Sequence, residues 1–409
     1  MSEKVINYIK DNWSSTIRKP DAAVHGMVKL QKPFSVPCAD ELFVDFYYWD
    51  TYFINLGLLR SGKEEQAENN LDNMRFFIDN LGYVPNANHL LDRSQPPFFC
   101  RAVYDLYDAK KDSEVIKKYI DAILREHEFF ELDRTGPIRL SSYGNNCTRL
   151  ALKESYPWLC ARVGISPSSE KEGIAMANEL YAIAESGWDF TPRYRTSDSL
   201  FAPLEHVNVD LNSLLYDAEV KASEMLSVIG RQADAEALLS RASERKNLIL
   251  KYMFDSADGV PYDYNFVRGT LSETLSSASF YPFAVGISEN KAALKQILTR
   301  LELNHGVSAC EYRGPDDTYL QWDYPAVWPS NTYFAFLALK KLGLKEDARR
   351  IAHKYISLVD TVFDRTGRIW EKYDGVRGDI SETTEYTTPA MLGWSAGVYL
   401  WLSEQLAAL

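Results

Sequence analysis

Two stretches of this chain set a carboxylic acid among aromatic rings. One is Glu185-Ser186-Gly187-Trp188-Asp189-Phe190-Thr191-Pro192-Arg193-Tyr194, and the other is Trp370-Glu371-Lys372-Tyr373-Asp374. Two carboxyl groups in aromatic, polar-lined surroundings are what cleavage of a glycosidic bond requires. One acid must hold a proton near neutral pH, while the other must be ionised and face a water. Three further clusters have the residue types of a sugar site. Phe46-Tyr47-Tyr48-Trp49-Asp50-Thr51-Tyr52 offers ring faces beside a hydroxyl acceptor; it also reads as a buried helix start with Asp50 as its cap. Asn86-Ala87-Asn88-His89-Leu90-Leu91-Asp92-Arg93-Ser94-Gln95-Pro96-Pro97 supplies amides, a guanidinium and a hydroxyl for directed hydrogen bonds. In Gln321-Trp322-Asp323-Tyr324-Pro325-Ala326-Val327-Trp328-Pro329, two indoles and a phenol surround a carboxylate in a proline-braced loop.

Something must carry these loops, and helical periodicity dominates between them. Leu211, Leu214, Leu215, Ala218, Ala222, Met225, Leu226 and Ile229 recur at helical spacing up to Gly230. A second helix follows through Ala235, Leu238, Leu239, Ala242, Ile249 and Met253, so the pair forms an αα-hairpin. Gly62 and Gly343 play the part of Gly230, each with an alanine five residues on (Ala67, Ala348). The three glycines are 168 and 113 residues apart, close to three and two multiples of about 56. Six or seven such units fit in the chain, which predicts an all-α toroid of helical hairpins, an (α/α)6 barrel, as a single domain spanning residues 1–409. An open solenoid is the alternative, although solenoid repeats are shorter and more regular. The less regular stretches, about 33–50, 83–97, 133–170, 185–206, 255–275, 305–330 and 364–388, hold most of the Trp, Tyr, Asp and Arg clusters and are expected to carry the site.

Composition narrows the function classes. The 409 residues carry a net charge of −12, which argues against nucleic acid or an anionic membrane surface as partner and leaves a small-molecule substrate. Aromatic residues make up 13 % of the chain, consistent with flat surfaces for sugar rings. The five cysteines are odd in number and scattered, which predicts reduced thiols in a cytoplasmic protein. No leader-like start and no apolar run of about 18 residues is visible. The six histidines lie far apart and show no metal-ligand spacing.

Taken together and in order, these segments resemble the trehalase family, glycoside hydrolase family 37. The matching pieces are Tyr47-Tyr48-Trp49-Asp50, Val84-Pro85-Asn86, Arg93-Ser94-Gln95-Pro96-Pro97, Glu185 to Phe190, Val209-Asp210-Leu211-Asn212, Gln321 to Pro325 and Glu371-Lys372-Tyr373-Asp374. The resemblance implies an inverting α-glycosidase on an (α/α)6 barrel, without metal or cofactor, with Asp189 as general acid and Glu371 as general base. It also implies that Trp49, Asp50, Asn86, Arg93, Gln95, Arg139, Gly187 and Glu385 line the sugar sites. The motifs add Tyr48, Trp188, Arg193, Gln321, Trp322, Asp323 and Trp328 as substrate-binding candidates, with Arg193 expected to point at a sugar or at another acid. The chain departs from the family in three places. Asp40-Glu41-Leu42-Phe43 stands where trehalases carry Gly-Gly-Arg-Phe. Arg139-Leu140-Ser141-Ser142-Tyr143 stands where they read Arg-Pro-Glu-Ser-Tyr. Only two glycines lie between Gly375 and Thr384, in place of a glycine-rich lid. Loss of one charged contact to a sugar hydroxyl costs about 1.5–3 kcal/mol, so the chemistry is better defined than the leaving group.

Single displacement is the expected mechanism, with carboxyls about 6.5–9.5 Å apart to admit a water. Trehalose is the first-choice substrate. A small α-glucoside or α-mannoside of another partner, as cleaved by related family 63 enzymes, is the second. A sugar epimerase or isomerase on the same barrel, or a binding protein without turnover, are rivals. Epimerases of this kind commonly use histidine, and only His89 falls inside the motifs.

Overall fold

The computed structural model describes residues 2–21, 28–39, 42–197, 199, 201–315, 317, 319–382 and 386–409. The helices are α1 (Glu3–Asn12), α2 (Tyr48–Arg60), α3 (Glu64–Leu81), α4 (Phe99–Lys110), α5 (Ser113–Asp133), α6 (Arg149–Arg162), α7 (Glu170–Ser186), α8 (Val209–Val228), α9 (Gln232–Tyr252), α10 (Tyr281–Val285), α11 (Lys291–Leu301), α12 (Pro329–Lys341), α13 (Lys345–Thr366) and α14 (Gly393–Ala407).

Burial sorts them into two layers. Every residue of α2 from Tyr48 to Leu58 is buried, and α12 and α14 are nearly as enclosed. A helix buried on all sides belongs to an interior. By contrast α9 buries only Ala235, Ala242, Arg245 and Ile249, a single stripe. Six inner helices form a closed ring: α2 packs on α4, α4 on α8, α8 on α10, α10 on α12, α12 on α14, and α14 returns to α2. At that last crossing two glycines let the backbones meet. A Cβ on Gly397 would lie 1.9 Å from the Phe53 carbonyl oxygen, and one on Gly57 would lie 2.9 Å from Gly397 Cα.

The amphipathic helices α3, α5, α9, α11 and α13 surround the ring, and Tyr8 of α1 meets Phe363 of α13 at 4.9 Å. Gly62, Gly230 and Gly343 each take a positive φ in the short turn from an inner helix to the following outer one. Ala67, Ala235 and Ala348 are buried just beyond them, so the repeat read from the sequence is the inner–turn–outer unit.

Two features differ from the sequence reading. The stretch 133–170 contains a regular helix, α6, capped by the Thr148 side chain, which accepts from Ala151 N. Pro157 inside it and its mixed polarity hide the helical period. Furthermore, the α6–α7 hairpin lies outside the ring of six and packs around its own small apolar cluster, which includes Leu152, Leu159, Leu180, Ile183, Phe190 and Tyr194. Short antiparallel strands tie the long loops together at one end of the ring. The pair Ala326↔Asp374 and Val327↔Tyr373 clamps the loop of Trp322 to the loop of Glu371. No described helix is long and apolar enough to cross a membrane.

Candidate active site

At that end of the ring is a cavity of about 490 Å³, lined by Trp49, Asp50, Asn86, Arg93, Gln95, Gly187, Asp189, Gln321, Trp322, Trp328 and Glu371 among others. Eleven of the seventeen site candidates therefore converge on one pocket.

The pocket is assembled by cross-links between loops. Tyr47 is extended and bridges to Ala87, and Tyr48 N donates to Asn86 O at 3.1 Å. No side chain of its own cap serves α2; instead Gln95 Oε1 accepts from Trp49 N at 3.1 Å. This satisfies a helix-end amide and places Asp50 in the first turn, facing the cavity. Glu185 is fully buried and accepts four bonds: from Arg134 Nε and Nη2 (both 2.8 Å), Ser94 N (2.9 Å) and Gly144 N (2.6 Å). It thus fastens the loop of Arg93 to the end of α7, from which Asp189 emerges. Between them Gly187 is left-handed (φ 74°), and a Cβ there would lie 2.8 Å from the Trp49 ring. Only glycine meets both conditions.

Four indoles form the floor. Trp322 stacks on Trp328 at 3.8 Å with an interplanar angle of 2°, Trp49 approaches Trp322 at 5.4 Å, and Trp394 stands edge-on to Trp49 at 5.7 Å. Above them are three carboxyl groups. Burial, with Glu371 and then Asp189 as like charges, pushes the Asp50 carboxyl up to about 8. Asp50 is therefore protonated at neutral pH and able to donate to a sugar oxygen. Glu371 accepts from Lys372 Nζ at 2.6 Å and from the Tyr386 hydroxyl at 2.8 Å to each oxygen. No described residue donates to the Asp189 carboxyl, leaving it open to a ligand. Buried Arg93 Nε, Gln321 Oε1 and Trp328 Nε1 likewise lack a described partner, as expected of groups waiting for hydroxyls.

Five of the remaining candidates are described, and they do not line the cavity. Tyr48 is buried beneath it, donating to Glu126 at 2.7 Å and accepting from Phe99 N at 2.8 Å. Trp188 packs on Trp322 at 5.1 Å and under the Arg193 guanidinium at 4.4 Å. Arg193 is fully buried between Asp210 and Asp263, with bonds of 2.9–3.1 Å, so it meets other acids and not a sugar. Asp323 is held by the fork of Arg313 at 2.8 Å. In each case charge or ring is already matched inside the protein, which removes it from ligand contact. Arg139 is the clearest correction: it is on the surface, pairing with Glu244, because the tight turn at Gly136–Leu140 points it outward. Glu385 lies outside the described residues.

Trp158 and Arg162, one turn apart on α6, line the cavity but belong to none of the motifs named above. A signal for them exists. Lys153-Glu154-Ser155-Tyr156 keeps the last three residues of the Arg-Pro-Glu-Ser-Tyr pattern better than the stretch at Arg139 does. Tyr386, Met391 and Trp394, which also line the cavity, fall after the last motif. Among the described residues no histidine lines it, which weighs against an epimerase. Elsewhere His127, Glu131 and Glu219 converge, but Arg245 pairs with both acids and Arg241 with Glu131, so the cluster is an ion-pair network.

A closed ring of helical hairpins with acids gathered over an aromatic floor at one end defines an (α/α)6 glycosidase. The family model for trehalase matches residues 2–406, and the chain belongs to that family. It is 29 % identical to a periplasmic trehalase of Pseudomonas aeruginosa, covering 97 % of this chain and 75 % of that one. It is 28 % identical to one from Xanthomonas campestris, covering 95 % and 71 %. In fold it is similar to the neutral trehalase of Saccharomyces cerevisiae (TM-score 0.73, 22 % identity, 99 % and 80 % covered). It is also similar to the family 63 mannosylglycerate hydrolase of Thermus thermophilus (TM-score 0.65, 16 % identity, 98 % and 100 % covered).

The bacterial relatives are named as periplasmic, which overturns the cytoplasmic expectation. That expectation rested on thiols. Four of the five cysteines are buried, and no disulfide joins any two of the five. Thiols sequestered in a core do not report on the redox state outside it.

Proposed function

We propose that this protein is a single-domain inverting α-glycosidase whose substrate is trehalose, with Asp189 as general acid and Glu371 as general base. The observation that carries the reading is that these two acids, from loops far apart in the chain, line the same cavity over the same indole floor. One glucose ring occupies the deep end, its faces against Trp49, Trp322 and Trp394 and its hydroxyls within reach of Asp50, Asn86, Arg93 and Gln95. Asp189 protonates the glycosidic oxygen as the bond breaks, and Glu371 takes a proton from the water that attacks the opposite face. The deep ring leaves as the β-anomer. Positioned acid and base groups each contribute roughly 10²–10⁴-fold.

The second ring lies toward the mouth, beside Trp158 and Arg162 of α6. One observation favours a second reading there: Leu42 lines the mouth where the family carries an arginine. An α-glucoside or α-mannoside of a smaller partner is therefore the alternative substrate. Hydrolysis of trehalose, kojibiose, isomaltose, glucosylglycerate and mannosylglycerate, followed by proton NMR, tests both points. The expected outcome is trehalose turnover with β-glucose appearing first from the deep site. Initial release of only α-glucose rejects the single displacement, and turnover confined to the glycerates selects the alternative.

A further inference from the structure

The Glu371 carboxylate is held by a clamp of Lys372 and Tyr386, with Gln321 behind Tyr386, and of the three only Lys372 does not line the cavity. Lys372 follows Glu371 directly in the chain, yet its ammonium turns back to within 2.6 Å of Oε2. It is fully buried, lies over the rings of Trp328 (4.8 Å) and Tyr386 (4.2 Å), and does not line the cavity. The Tyr386 hydroxyl is equidistant from both Glu371 oxygens at 2.8 Å, a bifurcated contact that fixes the plane of the carboxylate. That hydroxyl is itself oriented: Gln321 Nε2 donates to it at 2.7 Å and Lys372 Nζ at 3.0 Å. With these two donors directed at its oxygen, the hydroxyl donates its own proton to Glu371.

We infer that Lys372 and Tyr386, with Gln321 behind them, are positioning residues that set the angle and place of the general base. This rests on the reading of Glu371 as base. A base must present one oxygen to a water aimed at the anomeric carbon, and an error of about 1 Å in such an alignment costs roughly 10²-fold. The clamp engages both carboxylate oxygens and restricts the acid to one orientation. Among the described residues, Lys372 and Tyr386 hold Glu371, while Asp50 and Asp189 share the cavity with it. The clamp also gives Gln321 a role from each end of its amide. Its Nε2 serves the clamp, and its unpartnered Oε1 remains for the ligand.

The test separates the two halves of the reaction. Fluoride leaves α-glucosyl fluoride without help from an acid, but attack at the anomeric carbon still needs an activated water. Thus D189N should lose trehalose turnover and keep much of its turnover of the fluoride, whereas E371Q should lose both. Y386F, which removes one hydroxyl and keeps the ring, should lower kcat about tenfold on both substrates by the same factor. KM, inhibition by glucose and the melting temperature should stay near wild type. K372M should show the same pattern at about 10²-fold; if it fails to fold, Y386F alone decides. Loss of kcat on trehalose only, or a rise in KM with kcat unchanged, overturns the positioning role. Unimpaired turnover of both substrates by E371Q instead removes Glu371 as the base, a result distinct from failure of the clamp.

Discussion

The floor of the cavity and its rim are built differently. The floor comes from the first turn of α2, from the loop that Gln95 clips to it and Glu185 fastens to the end of α7, and from indoles continuous with the main core. Its parts are buried and cross-linked. The rim on one side is α6, which packs chiefly on α7 around a small cluster separate from that core. Trp158 is 54 % exposed although it lines the cavity. Asp50, Glu371 and the indole floor thus belong to the closed ring, Asp189 follows α7 of the inserted hairpin, and α6 of that hairpin supplies the rim. A ring that must close tolerates little change, whereas a hairpin resting on its own cluster is free to vary. The floor and the rim are thereby assigned to separate parts of one fold, with the Asp189 loop joining them.

That division makes predictions at both sites. Asp189→Asn and Glu371→Gln should each lower kcat on the natural substrate by roughly 10²–10⁴-fold with unchanged folding by circular dichroism. Near-normal rates in either would remove the chemistry from the floor. Gly187→Ala should be the most damaging change that touches no charged group. Its left-handed backbone costs about 1–2 kcal/mol and its methyl would press on Trp49, so kcat/KM should fall about 10²-fold along with a lower melting temperature.

Asp50→Asn tests the electrostatics of the floor through stability. The folded protein raises the Asp50 carboxyl to about 8, so folding favours its protonated form. Its contribution to stability is complete below its ordinary range and is lost as pH rises toward 8, at about 1.4 kcal/mol per pKa unit. The melting temperature of the Asn variant, measured against wild type from about pH 5 to 9, should gain on wild type as pH rises. A constant difference would mean Asp50 is not held protonated.

At the rim the effects should be smaller and of another kind. Trp158→Ala should raise KM for a disaccharide about tenfold, the loss of roughly 1.4 kcal/mol of ring contact, with little change in kcat or stability. A fall in kcat matching that of the floor variants would erase the distinction. Arg139→Ala, away from the cavity, should change neither constant.

Much of this was legible before any coordinates. The motifs with an acid beside an indole contained all three cavity acids and the floor residues Trp49, Trp322 and Trp328. They also contained Trp188, Arg193 and Asp323, which look the same in sequence, yet the Trp188 ring is packed beneath Arg193 and the other two are ion-paired inside the protein. A guanidinium near a catalytic loop reads identically whether it meets a sugar or two buried aspartates. The matching of Arg139 to a family arginine failed for a related reason: similarity over a few residues does not say which way a turn points. In α6 a proline and a polar mixture obscured the helical period, so the residues it carries to the rim stayed hidden.

What the order of amino acids determined by itself was the repeating unit, an apolar helix, a glycine able to take positive φ, and an amphipathic helix, because backbone freedom and burial period are local properties. It also determined that acids would be accompanied by indoles. Which acids share a cavity, that Lys372 turns back onto Glu371, and that α6 closes one side were decided only when α14 packed against α2. Closing the ring brings together loops hundreds of residues apart, and contacts at that separation depend on the summed geometry of every helix between them.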